Sequence, residues 1–75
     1  MKVGKLIKLL EKLDPEMDVF IQKDSEGNDY SPLSDLWEGI YIPDSTWSGN
    51  AYTEKEAIKE KFENGQKSLF LVPIN

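Results

Sequence analysis

The sequence predicts a small α+β domain with two helices and a three-stranded, mainly antiparallel sheet in the order α-β-β-α-β. Apolar residues recur at helical spacing near the N-terminus, three later apolar runs are bounded by turn residues, and a capping signal precedes a second helix. With 75 residues the chain is expected to form one domain, residues 1–75. A domain of this size buries only about 60% of its unfolded surface, so it needs a compact core or self-association.

The first helix is predicted to run from Val3 to a stop before Pro15. Proline keeps Asp14 out of the α-helical region, so the helix should end near Leu13. Its apolar face consists of Val3, Leu6, Ile7, Leu10 and Leu13, and its lysines take the other face. This pattern is typical of a core helix with a solvated basic face, and the alternative is a helix that binds a partner.

Two strands should follow and pair antiparallel through the long loop at 25–35. Asp18–Asp24 alternates loosely and predicts a strand with Val19 and Ile21 inward. Leu36–Pro43 is the second strand. Within it, Gly39 indicates a bulge or a close approach of backbone.

A second helix is marked by a capping box. Thr53 is the predicted N-cap and Glu56, three residues on, completes the box. Ile58 and Phe62 are the predicted buried pair, and the helix should end at Gly65 in a left-handed C-cap. The apolar run at 68–74 then predicts a central strand covered on both faces.

The composition argues against catalysis and bound cofactors. The chain has no His, Cys or Arg, which removes most nucleophilic, metal-thiolate and phosphoryl-transfer schemes. Paired carboxylates remain, but 14 acidic residues in a chain of 75 will form pairs by chance. The stretch Asp24–Asp29 is similar in composition to a calcium loop, yet Gly27 falls at position 4 instead of 6, which favours a polar turn. The expectation is a non-enzyme without metal or cofactor.

The charge and hydropathy pattern limits the partners. The formal net charge is −5, which argues against direct nucleic-acid binding. No apolar run approaches the roughly 18 residues that a membrane span needs, and lysines interrupt the N-terminal apolar positions, unlike a signal peptide. A cytoplasmic protein is expected.

One stretch, residues 24–54, combines carboxylates with large rings, and we call it the acidic aromatic segment. It contains no Lys, while both Trp and all three Tyr of the chain lie within it. Trp and Tyr are enriched at interface hot spots, and carboxylates around them would steer a basic partner. The candidate partner-binding residues are Asp29, Tyr30, Asp35, Trp37, Glu38, Tyr41, Asp44 and Trp47.

Two other interpretations of these residues stay open. Trp37 and Tyr41 could simply cover the second face of the sheet while the carboxylates keep the protein soluble. Alternatively, a sheet face bearing Phe20, Trp37 and Tyr41 could be buried in a homodimer, if no helix covers it. Trp47 is the hardest of these residues to explain as core, because it lies in a loop of Ser, Gly and Asn.

The blocks LIKLLEKLDPEMDVFI, EGNDYSPLSD and GIYIPDSTWSG resemble small uncharacterised proteins encoded by tailed bacteriophages. The opening LIxLLxxLDPExxVxI pattern is common among short phage proteins, and the middle block is more distinctive. The resemblance implies a viral accessory protein in the bacterial cytoplasm and transfers no site residue. The leading hypothesis is therefore binding to a host or phage protein, for example as an inhibitor of a host nucleic-acid enzyme or defence system. The alternative is a self-associating structural module.

Overall fold

The computed structural model describes residues 1–75 and contains two helices and four strands. In chain order they are α1 (Val3–Leu10), β1 (Phe20–Gln22), β2 (Tyr30–Pro43), β3 (Gly49–Tyr52), α2 (Glu54–Glu60) and β4 (Gln66–Pro73). The predicted α+β class, with two helices and a mainly antiparallel sheet, is confirmed. A short strand, β3, is added where the sequence predicted only a loop.

The chain divides into two compact units. Unit 1 comprises Met1–Ser34 together with Pro73–Asn75, and unit 2 comprises Asp35–Val72. Strand β2 runs from the first unit into the second and pairs with each of the other three strands. The prediction that the last strand is central was therefore wrong. An apolar run indicates that both faces are covered, but it does not encode how many neighbours a strand has.

In unit 1, β1 and β2 pair antiparallel, as predicted, with Phe20 opposite Pro32 and Gln22 opposite Tyr30. The predicted partner stretch Leu36–Pro43 was wrong, because β2 already begins at Tyr30 and pairs through residues assigned to the loop at 25–35. The only fully buried polar side chain of the protein, Ser31, lies here and donates from Oγ to Oδ1 of Asn75 at 2.9 Å. The amide of Ile74 also donates to the carbonyl of Pro32 at 3.0 Å. These two bonds attach the C-terminal residues to β2.

The turn between β1 and β2 is organised by Asp24. Its Oδ1 accepts from the backbone amides of Glu26 at 2.9 Å and Asn28 at 3.2 Å. These donors, with Asn28 the strongest, hold the pKa of the Asp24 carboxyl below its ordinary value. Gly27 has φ +78, as its position in the turn predicts.

Helix α1 ends at Leu10, earlier than its apolar pattern predicts. Glu11 is the C-cap, and a tighter turn follows in which the amide of Leu13 donates to the carbonyl of Leu10 at 3.0 Å. No side chain caps its N-terminus. The helix makes at most glancing contact with the strands of its unit, and its apolar face is about half exposed.

In unit 2, the capping box of α2 is present as predicted. Thr53 Oγ1 accepts from the amide of Glu56 at 3.2 Å, and Glu56 Oε1 accepts from the amide of Thr53 at 2.8 Å. The helix ends at Lys61, which adopts the left-handed conformation with φ 57 and ψ 41. The prediction that Gly65 ends the helix was wrong, because the chain leaves the helix four residues earlier.

Helix α2 lies over one face of the unit 2 sheet. A Cβ added to Gly65 would meet the side chains of Ile40 and Ile42, and the rings of Tyr52 and Phe62 are 4.8 Å apart. A shallow cavity of about 250 Å³ remains between the end of the helix and Ile40. Ile58 is 77% exposed, so its predicted burial was wrong. No apolar side chain of the protein is fully buried.

Candidate partner-binding surface

Three rings of unit 2, those of Trp37, Tyr41 and Phe70, lie on the sheet face away from α2. Side chains alternate between the two faces of a strand. Ile40 lines the cavity beside Ala57 and Ile58 of α2, and Ile40 and Ile42 both lie next to Gly65, which follows that helix. Trp37, Gly39 and Tyr41 therefore belong to the opposite face. We call it the aromatic face, made of Trp37, Gly39 and Tyr41 with Phe70 from β4 and Gly49 from β3.

A stacked ring pair lies over Gly39. The rings of Trp37 and Phe70 have centroids 4.7 Å apart at an interplanar angle of 29°. A Cβ added to Gly39 would be 2.5 Å from Trp37 Cζ3, 2.6 Å from the carbonyl oxygen of Tyr52 and 3.2 Å from Phe70 Cε2. Only glycine leaves room for this stack, so the close backbone approach predicted at Gly39 is confirmed.

Tyr41 makes the same kind of contact with the neighbouring strand. A Cβ on Gly49 would be 2.6 Å from both Cζ and the hydroxyl oxygen of Tyr41. The ring thus lies over β3, where Ala51 is the paired residue. Trp37 and Tyr41 are both partly buried, and neither is among the strongly exposed large apolar residues of the protein.

Trp47 occupies the tip of the β2–β3 hairpin and is 85% exposed. The loop beneath it is held by its own hydrogen bonds. Ser45 Oγ accepts from the amides of Trp47 and Ser48 at 3.3 and 3.2 Å, and the amide of Asp44 donates to the carbonyl of Ser48 at 2.9 Å. The loop therefore holds the backbone of Trp47 in place, while the indole stays outside the core.

The three candidate carboxylates of unit 2 lie in different places, and they belong to Asp35, Glu38 and Asp44. Asp44 Oδ2 accepts from the side chain of Asn50 at 3.2 Å, at the base of the hairpin loop. Asp35 lies at the start of the aromatic face, where its Oδ1 accepts from the amide of Leu36 at 2.8 Å. Glu38 is exposed and falls, by alternation, on the other face of β2.

The two remaining candidates, Asp29 and Tyr30, belong to unit 1. Asp29 forms an ion pair with Lys23 at 3.5 Å and accepts from the amide of Tyr30 at 2.9 Å. The hydroxyl of Tyr30 lies over Gly27, 2.8 Å from where a Cβ would be. Both residues are exposed, but their local contacts serve the β1–β2 turn.

Sequence reasoning missed two members of the aromatic face. Phe70 lies in a uniformly apolar run, which contains no signal for the side chain that will meet Trp37. Gly49 was assigned to a loop, because glycine and asparagine are depleted in strands. Only the register of β3 on β2, with Pro43 opposite Gly49, reveals its place beneath Tyr41.

No known protein family, curated protein or solved structure matches this chain. Neither helix is long and apolar enough to cross a bilayer. No group of three or more acidic side chains is placed to hold a metal ion. The described geometry offers large ring surfaces, an exposed indole N–H donor and nearby carboxylates for contact with a partner.

Proposed function

We propose that this protein is a non-catalytic accessory protein that binds another protein through unit 2, with Trp47 as its central anchor. The exposure of Trp47 on a self-bonded loop carries the proposal. An indole in water contributes little to the fold, whereas one that fills a partner's pocket contributes about 2 kcal/mol or more to binding. The fixed loop lowers the ordering cost of that contact.

The proposed partner has a basic surface. Asp44 lies in the same loop as Trp47, the acidic aromatic segment contains no Lys, and the chain carries a net charge of −5. Complementary charges of this kind raise association rates and exclude acidic competitors. Enzymes that act on nucleic acid have basic grooves, so a host nucleic-acid enzyme or defence protein is the proposed target class, with inhibition as the outcome.

The resemblance to phage proteins supports a bacterial host cell as the place where the protein would act. A viral accessory protein would meet such a target in the cytoplasm of the bacterial host. Phe70, Trp37 and Tyr41 would then extend the contact beyond the hairpin, and Asp35 would add charge at its edge.

Affinity capture from bacterial lysate, followed by mass-spectrometric identification and calorimetry with the purified partner, tests the proposal. Trp47→Ala and Asp44→Lys should each weaken binding at least tenfold. Ile58→Ala is the matched control, since Ile58 is an equally accessible apolar residue on α2. Capture of the same partner with unchanged affinity by both loop variants would refute the proposed surface.

Self-association is a second candidate, because Trp37 and Tyr41 keep part of their ring surface exposed on the sheet face away from α2. It predicts oligomers of the purified protein without any host factor. Sedimentation that shows a monomer from micromolar to millimolar concentration would exclude it.

A further inference from the structure

The segment between α2 and β4 contains an asparagine that is followed directly by a glycine, Asn64-Gly65. Asparagine is one of the chemically labile residues, because its side-chain amide can react with the backbone nitrogen of the next residue. A glycine in that next position has no Cβ to shield its nitrogen. Helix α2 ends at Lys61, so the pair lies outside every helix and strand, and capping of the helix does not explain it.

The structure leaves both reacting groups of this pair accessible. Asn64 and Gly65 are exposed. The side-chain amide of Asn64 makes no hydrogen bond, and the backbone N–H of Gly65 donates to no other residue. Glycine also has the widest choice of backbone conformations, so its nitrogen can approach the side-chain carbonyl carbon of Asn64.

Two other asparagines of the chain, Asn28 and Asn50, are held in place. Asn50 lies in β3, and its side-chain nitrogen donates to Asp44 Oδ2 at 3.2 Å. Asn28 donates from its backbone amide to Asp24 Oδ1 at 3.2 Å and from its side chain to Glu26 Oε2 at 3.5 Å. Each is followed by a residue that has a Cβ. They provide internal references for an asparagine that the fold protects.

We propose that Asn64-Gly65 is a site of spontaneous covalent modification, at which the asparagine loses ammonia through a cyclic imide. The backbone nitrogen of Gly65 gives up its proton and forms a C–N bond to the side-chain carbonyl carbon of Asn64. The bond from that carbon to the side-chain nitrogen breaks, and this nitrogen takes up a proton and leaves as ammonia. One water molecule then opens the imide at either of its carbonyls, which gives aspartate or isoaspartate at position 64.

The two products differ in what they do to the backbone. Both add a negative charge next to Glu63, but isoaspartate also lengthens the main chain by one CH₂ group. The backbone at Gly65 has no space for this change, since a Cβ there would overlap Ile40 Cγ2 and lie 3.3 Å from Ile42 Cδ1. Strand β4 begins at the next residue, Gln66. Isoaspartate therefore displaces Gly65 from these side chains or shifts the start of β4.

This inference goes beyond the proposed partner binding and does not rest on it, because neither Trp47 nor Asp44 takes part in the reaction. Loss of binding to a host partner would leave the rate of the reaction unchanged, and an unreactive Asn64 would leave the hairpin free to bind.

Peptide mapping by mass spectrometry measures the reaction at each asparagine after the purified chain has been kept folded in mildly alkaline buffer. Conversion at Asn64 should be at least tenfold faster than at Asn28 or Asn50, and fragmentation spectra should identify isoaspartate among the products. Asn64→Gln is the matched control, because its longer side chain closes a six-membered imide more slowly, and it should convert at least tenfold less. A smaller difference between Asn64 and the other two asparagines would overturn the proposal.

The same measurement in urea separates the effect of the fold from that of the Asn-Gly pair alone. Unfolding releases the backbone of Asn50, so its conversion should accelerate and thereby report that the chain is unfolded. The rate at Asn64 should change less than threefold, because the folded chain does not shield the pair. An acceleration of threefold or more at Asn64 would show that the fold protects it and would refute the proposed site.

The effect on the backbone is tested with the isoaspartate form, separated from the aged protein by chromatography. Its melting temperature should lie below that of wild type. Asn64→Asp adds the charge without lengthening the main chain, so its melting temperature should stay close to that of wild type. An isoaspartate form that melts with Asn64→Asp would contradict the displacement of Gly65.

Discussion

At the scale of single residues, Gly39 decides whether the aromatic face can form. Gly39→Ala places a methyl group within 2.6 Å of both Trp37 and the backbone of Tyr52, and backbone cannot yield easily. We expect a loss of about 1–3 kcal/mol in the free energy of unfolding, the range for overpacked sites. Near-ultraviolet circular dichroism should show a weaker signal from the Trp37–Phe70 stack.

Gly4 supplies the control for that substitution. A Cβ at Gly4 meets nothing within 4 Å, and the residue lies in the first turn of α1. Gly4→Ala should therefore stabilise the protein by about 0.5 kcal/mol through helix propensity. If Gly39→Ala proved equally harmless in urea unfolding, the ring stack would not constrain the strand.

Truncation of the two tryptophans to alanine should change the stability of the protein by very different amounts. Trp47→Ala should leave the melting temperature within about 2 °C of wild type, because the indole is exposed and the loop is held by Ser45. Trp37→Ala removes a half-buried ring that stacks on Phe70 and should cost about 2 kcal/mol or more. Differential scanning calorimetry compares them, and a large destabilisation by Trp47→Ala would mean that its loop contributes to the fold.

At the scale of elements, the capping box should make α2 sensitive to acid. Hydrogen bonds from the Thr53 backbone, and then from its side chain, lower the pKa of the Glu56 carboxyl. Because its pKa is lowered, Glu56 contributes its full share of the free energy of unfolding above the ordinary glutamate pKa of about 4.3. That stabilisation is lost as the pH falls through the lower pKa of the folded state. Helix content should therefore decline as the pH falls below about 4.

Two variants separate the parts of this effect. Glu56→Gln keeps a hydrogen-bond acceptor that does not titrate. The helix circular dichroism of this variant should therefore differ from that of wild type by a constant amount at higher pH, and the difference should change only in the acid range. Thr53→Ala removes the other half of the box and should cost about 1 kcal/mol at neutral pH, a fall of about 4–8 °C in melting temperature. An acid transition identical in wild type and Glu56→Gln would contradict the argument.

The elements also show which signals a sequence carries. The start of α2 could be predicted because the capping box involves residues three apart, and the chemistry is local. The same holds for Gly27, whose turn requires positive φ. In contrast, β3 contains poor strand formers and exists because it pairs with β2, with Ile42 opposite Asn50. Such cross-strand register has no signature in the residues of β3 itself.

The candidate partner-binding surface also contains residues that the sequence predicts and contacts that it does not. Trp47 could be recognised from its polar loop, and Gly39 from its place inside a strand pattern. The partnership of Trp37 with Phe70 depends on the pairing of β4 with β2, which the sequence does not encode locally. Burial was misjudged for Ile58 because helical spacing shows which residues share a face, not whether a second layer reaches that face.

At the scale of the whole molecule, no apolar side chain is fully buried, so self-association would make stability depend on protein concentration. A chain that gains its missing burial from a second copy is stabilised by mass action. Each hundredfold rise in concentration above the dissociation constant adds about 2.7 kcal/mol per dimer. The urea midpoint of wild type should therefore rise between micromolar and submillimolar protein, followed by far-ultraviolet circular dichroism. A wild-type midpoint that is independent of concentration would mean that each chain is stable without a second copy.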